Sequence, residues 1–227
     1  MAEKYEKYSP YAYALNNPIR FIDKDGRDII VGGPQAQAFV EKLNKESSFQ
    51  FKLVDNKLTA VDPNAKTDPF SSRLMDAVNN SKVVTFKTVS QRADVAIDQY
   101  PTGLVDVDDL NALDGDVYKA KLLHFTAERF AAVPDYDTDR SDPLVGSMRG
   151  FPAAHKAGKK AEEDFLKTVY PNKKVKASDN AEQTAEVVDQ NGNISRDVTF
   201  DFGDMQIILR MADQTEKVLP GSKIEQR

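Results

Sequence analysis

Leu122-Leu123-His124-Phe125-Thr126-Ala127-Glu128-Arg129 lies in the middle of the segment that decides the architecture. Over 117–132, Tyr118, Leu122, Phe125 and Ala132 recur at helical spacing, and Leu123 and Phe130 widen that apolar face. A second long helix is expected over 152–169, entered through Phe151-Pro152 and stopped before Pro171. Between them, 134–150 is rich in Pro, Gly, Asp and Ser, a long loop of the kind that often carries function.

The flanks of this helical pair read as strands and shorter helices. Upstream, Ile29-Ile30-Val31 predicts a strand stopped by Gly32-Gly33-Pro34, and Phe39, Val40 and Leu43 predict a helix over 35–46. Phe49, Phe51 and Leu53 alternate ahead of Asp55-Asn56, and Leu58, Ala60 and Val61 form the second arm of a hairpin. Asp68-Pro69 caps a helix carrying Leu74, Met75 and Val78. β-Branched content makes 83–89 a strand, and 95–97 another. Val105 and Val107 alternate in an edge strand inside 100–116. Downstream, 172–195 is polar and expected to be mobile. Val198, Phe200 and Phe202 then pair with 205–211 across Gly203-Asp204. Strands, two consecutive helices, then strands again give an α+β fold: a small mixed or antiparallel sheet packed against two long helices.

Composition narrows the function classes. The chain has 227 residues, 40% hydrophobic and 30% charged, with a formal net charge of −5. An acidic balance counts against nucleic acid as a partner, because tracking phosphates needs a basic surface. Cysteine is absent, which removes disulfides and cysteine–zinc sites. No apolar run is long enough to span a membrane. Glu3, Lys4, Glu6 and Lys7 stand where the apolar core of a signal peptide would begin.

Only two histidines occur, His124 and His155, one on each long helix. His124 and Glu128 are four residues apart and share a helix face; His155 and Glu162 share one on the next helix. Two ligand types at i, i+4 with a third from a neighbouring helix suit a metal centre, with His124, Glu128 and His155 as ligands and zinc as the metal. The arrangement departs from His-Glu-x-x-His at two positions. Phe125 stands where that pattern has its water-activating glutamate, and Glu128 replaces the second histidine. A base for hydrolysis must then come from elsewhere, with Glu162 and Glu163 as the candidates. The plainer alternative makes His124 a hydrogen-bonded, half-buried histidine. Glu128 and Arg129 then form a solvated face, and Lys156, Lys159 and Lys160 pair with Glu162 and Glu163 along the helix. The acids Asp106, Asp108, Asp109, Asp114 and Asp116 lack calcium-loop spacing, because Asn111 stands where that loop needs glycine; a turn and helix N-termini account for them.

The first residues carry a separate signal. Ser9-Pro10-Tyr11-Ala12-Tyr13 runs into Asn16-Asn17-Pro18 and then Asp23-Lys24-Asp25-Gly26-Arg27. This resembles the motif that closes the core of Rhs/YD-repeat proteins, over residues 3–28, with Lys24 in the usual proline position. The resemblance implies that 1–28 ends such a core, that 29–227 is a C-terminal variable domain of effector or toxin type, and that Met1 begins a piece of a longer chain. It also implies a secreted or cell-surface parent protein, with an immunity protein or a target protein as partner. A non-catalytic partner-binding tip domain, or a decayed toxin that kept its fold, is the alternative. More loosely, residues 100–170 resemble zincin-like toxin domains, in which a His-Glu-x-x-His-type helix precedes one bearing Ala-His and a downstream glutamate. Ala154-His155 and Ala161-Glu162 match that second helix, which implies a degenerate zincin-like, metallopeptidase-like site.

Overall fold

The computed structural model describes residues 29–62, 67–80, 82–132, 150–178 and 183–227. The motif at 3–28 and most of the 134–150 loop lie outside them. The fold is α+β, built on two sheets rather than one.

The first sheet has six strands in the order β2-β3-β1-β4-β6-β5. They are β1 (Ile29–Gly32), β2 (Phe51–Val54), β3 (Lys57–Ala60), β4 (Val84–Val89), β5 (Asp98–Gln99) and β6 (Leu104–Asp106). Strands β1, β4 and β6 run parallel at its centre, and antiparallel pairs flank them, so the sheet is mixed. The hairpin β2–β3 turns at Asp55 and Asn56, both at positive φ, as expected for residues that tolerate the left-handed region. Strand β4 alternates buried and half-buried residues, with Val84 and Phe86 entering the core.

Among the described residues there are five helices, α1 (Ala36–Glu46), α2 (Pro69–Val78), α3 (Val107–Ala112), α4 (Gly115–Ala131) and α5 (Phe151–Val169); the first four contact this sheet, and α5 packs on α4 and α2. Asp68 caps α2, accepting from the N–H groups of Phe70 at 2.9 Å and Ser71 at 3.0 Å. Burial works against its charge, but hydrogen bonds from Ser71 and Ser48 hold its pKa down at about 2. Val107 does not extend an edge strand. Asp106 accepts from Asp108 N–H at 3.1 Å and Asp109 N–H at 3.4 Å, and this cap turns the chain into α3 at Val107. The edge position falls to β5, and β6 lies inside the sheet.

Helix α4 is the centre of the molecule. It packs on α1, α2, α5, β4 and a strand of the second sheet, and almost every residue from Val117 to Arg129 is buried. Its longest contact is with α5. Phe125 enters the core edge-on to Phe86, with ring centroids 4.8 Å apart.

The second sheet is antiparallel, in the order β10-β9-β8-β7. Its strands are β7 (Gln183–Val188), β8 (Ile194–Asp201), β9 (Met205–Ala212) and β10 (Lys223–Gln226). The hairpin β8–β9 is the one read from sequence. Strand β7 falls inside the polar stretch 172–195, for which the sequence named no element. Its residues are nearly all exposed, so no buried periodicity marks it, and continuous backbone pairing with β8 makes it a strand. Lys217 ties this sheet to α3: its ammonium lies 2.6 Å from Asp106 and 3.6 Å from Asp109, both carboxylates being buried. Burial and the neighbouring Asp106 push the Asp109 carboxyl up to about 6, against the opposing pull of Lys217 and of the Val218 and Ile97 N–H groups. Among the described residues, no helix is long and apolar enough to cross a membrane.

Candidate metal centre

The two histidines meet. Helices α4 and α5 lie side by side, and His124 Nε2 is 3.3 Å from His155 Nδ1. His155 Nδ1 is in turn 3.3 Å from Glu128 Oε1. One donor atom from each of His124, Glu128 and His155 lies within 4.8 Å of the other two, so the group can hold a metal ion. His124 and Glu128 are 8% and 3% exposed, which excludes a solvated face. Arg129, also buried, donates to Tyr100 C=O at 2.9 Å.

Gly158 explains how the helices come this close. A Cβ on Gly158 would stand 2.7 Å from His124 Cδ2 and Nε2, so the bare backbone of α5 lies directly on the imidazole. On the open side, Phe151 stacks on His155 at 5.1 Å and 25°, and Tyr100 meets Phe151 edge-on.

Glu162 sits behind His124. It is 1% exposed, with Oε2 2.9 Å from His124 Nδ1 and Oε1 2.8 Å from Lys121 Nζ. The approach to Nδ1 is oblique, so the contact is electrostatic more than a directed hydrogen bond. Burial alone would raise the Glu162 carboxyl, but Lys121 and His124 outweigh it and hold the pKa at about 2. The same burial disfavours a charged His124, yet Glu162 prevails and raises the imidazole above its ordinary value. A neutral ring with its proton on Nδ1, beside the Glu162 charge, would present Nε2 as a lone pair toward His155 and Glu128. A carboxylate behind a histidine is the usual partner that fixes the tautomer of a metal ligand. Lys121 also lies over the Phe200 ring at 3.4 Å, so the Glu162 counter-charge is held by β8.

Glu163 is not in this group. It turns to the other side of α5, accepts Ala177 N–H at 3.0 Å and pairs with Lys160 and Lys167. The helical charge pairing expected from sequence therefore holds for Glu163, whereas Glu162 pairs inward.

The cluster opens into a cleft of about 370 Å³ between the two sheets. One wall is the turn from Ala96 to Pro101, and the other is Val198, Phe200, Leu209 and Met211. Asp98, on the first wall, was not singled out by the sequence. Burial, then the charge of Glu128, pushes its carboxyl up to about 6. It keeps partial exposure, toward the cleft it lines. No sequence pattern marks Asp98, because a turn and not a periodicity places it. Lys121 and Gly158 were equally silent, since their partners lie on other elements.

No protein-family model, curated protein or solved structure matches this chain.

Proposed function

We propose that residues 29–227 form an effector-type domain of an Rhs-repeat protein, in which His124, Glu128 and His155 hold zinc for hydrolysis of an amide or a related bond on a degenerate zincin-like scaffold. The observation that carries this reading is the spacing of the donor atoms. Four ligands at zinc distances of about 2.0–2.1 Å in a tetrahedron are about 3.3 Å apart. Two of the three donor separations here are 3.3 Å, and the third lies within 4.8 Å. Two neutral imidazoles and one carboxylate leave the ion a net positive charge and a fourth position. Bound there, zinc supplies a Lewis acid that polarises an oxygen.

The chain's own residues divide the remaining work. Glu162 sets a negative charge behind His124 Nδ1, and Lys121 keeps Glu162 charged. Phe151 flanks His155 at the mouth, and the apolar wall of β8 and β9 gives a substrate an apolar surface beside the centre. The motif at 3–28 supports the place of the domain at the end of a longer Rhs-type chain, with an immunity protein or a target protein as its partner.

Phe125 favours the second reading. The helix position that would carry the activating glutamate points into the core, 1% exposed, which suits a tip domain or a decayed toxin that binds without catalysis. Metal analysis separates the two. On the metal reading the purified chain takes up about one zinc per molecule, and His124→Ala abolishes uptake. A zinc-loaded and desalted chain that retains no zinc removes the metal centre.

A further inference from the structure

The position of Phe125 leaves a question of chemistry: helix α4 offers no carboxylate beside its first ligand, Glu162 is sealed behind His124, and Glu163 faces away. Two other carboxylates line the cleft, Asp98 and Glu216, and Glu216 is taken up by Arg196 at 3.0 Å. Asp98 stands at the start of β5 and lines the same cleft as His124, Glu128, His155 and Lys121. It is absent from the group whose donor atoms all lie within 4.8 Å of one another, so it stands outside direct coordination.

The backbone that places it is strained. Ile97, the residue before Asp98, has φ of 67°, a region that a β-branched residue almost never adopts. Asp98 N–H donates to Ala96 C=O at 2.7 Å across it, closing a three-residue turn of the rare γ type. The turn is held from both sides: Asp106 N–H donates to Ile97 C=O at 2.8 Å, and Ile97 N–H faces the Asp109 carboxylate. Strain of this sort persists where the surroundings over-determine it, and it concentrates at functional sites. Here its effect is to bring one carboxylate to the lip of the metal cleft.

We propose that Asp98 accepts the proton released by a ligand that binds on the open side of the His124–Glu128–His155 cluster. This rests on the metal reading above. The step is a simple transfer: the ligand's O–H bond breaks, its oxygen goes to the metal, and the proton bonds to an Asp98 carboxylate oxygen. The same group then holds that proton for a leaving atom. Asp98 thus supplies from a turn what a glutamate following the first histidine supplies on a His-Glu-x-x-His helix.

Two probes of opposite demand test this on the full chain loaded with cobalt(II), whose visible spectrum reports ligand binding. Acetohydroxamic acid binds metal as its anion and must give up a proton. Azide is already an anion, gives up nothing and is repelled by a nearby carboxylate. Asp98→Asn should weaken acetohydroxamate and tighten azide, each about tenfold, the scale of one unit charge acting across a partly solvated site. A residue that only supports the fold would move both affinities together. Both moving in one direction, neither moving, or loss of cobalt from a folded Asp98→Asn chain would overturn the proposal. Ile97→Gly keeps the carboxylate but relaxes the turn. It should weaken acetohydroxamate and tighten azide, each less than Asp98→Asn does, and no movement would refute the aiming role even if Asp98→Asn did not fold. Failure of the wild-type chain to bind cobalt appears before either probe is added. It would sink the metal centre and the Asp98 role together.

Discussion

Gly158→Ala adds one methyl group to the face of α5 that rests on the His124 ring. The new carbon would stand 2.7 Å from Cδ2 and Nε2, where ordinary contact begins near 3.4 Å, so something must yield by about 0.7 Å. The ring is poorly placed to yield, with Glu162 2.9 Å from Nδ1 and His155 3.3 Å from Nε2. Two effects oppose each other. Replacing glycine by alanine inside a helix gains roughly 0.5–1 kcal/mol. Forcing a methyl group into a closed contact costs about 1–3 kcal/mol. The second wins, and the metal-free variant should be less stable by about 1–2 kcal/mol, a fall of roughly 2–8 °C in Tm for a chain of this size. The effect on metal should be larger, because a metal site tolerates displacements of only about 0.2 Å. On the proposed zinc reading, affinity should fall about 10–100-fold, the scale for disturbing a partner that orients a ligand. Thermal unfolding without metal and a zinc titration against a chromophoric chelator read the two effects separately. A variant as stable as the parent, with unchanged zinc affinity, would show that α5 does not pack on the imidazole as described.

Two further perturbations address the charges. Glu162→Gln leaves the Lys121 ammonium, 7% exposed, without its counter-charge, and should cost about 3–5 kcal/mol. The wild-type carboxyl is held at about 2 against an ordinary 4.5, so its contribution is complete above pH 4.5 and is lost as pH falls toward 2. Urea midpoints between those values should therefore slope less steeply in the variant; an identical slope would refute the pairing. Asp68→Ala removes the cap of α2 and should lower stability by about 1–2 kcal/mol at neutral pH. Its depressed carboxyl pKa makes that loss shrink as pH falls from 3.8 toward 2, which urea midpoints in acid would check.

Much of this molecule was written in local patterns. The i, i+4 spacing of His124 and Glu128 needed only a helix to bring them together, and the proline and aspartate that begin α2 announced it. Other features depend on partners distant in the chain. Nothing beside Asp98 signals a turn with isoleucine at positive φ, because that conformation is imposed by Asp106 and by the strand pairing around it. Lys121 reads as one more helical cation until α5 supplies Glu162. Strand β7 has no apolar alternation, since neither of its faces is covered, and only pairing with β8 reveals it. The single sheet expected from the pattern became two because the C-terminal hairpin recruits strands at both of its edges.

Lys217 gives the order of synthesis a physical meaning. A ribosome-bound chain that ends before β8 already contains His124, Glu128 and His155, but Asp106 and Asp109 lack the Lys217 ammonium and the cleft has no far side. Domains consolidate as their segments emerge, so this centre takes its final shape only once the last strands arrive. A truncated product would carry the ligands without the enclosure around them.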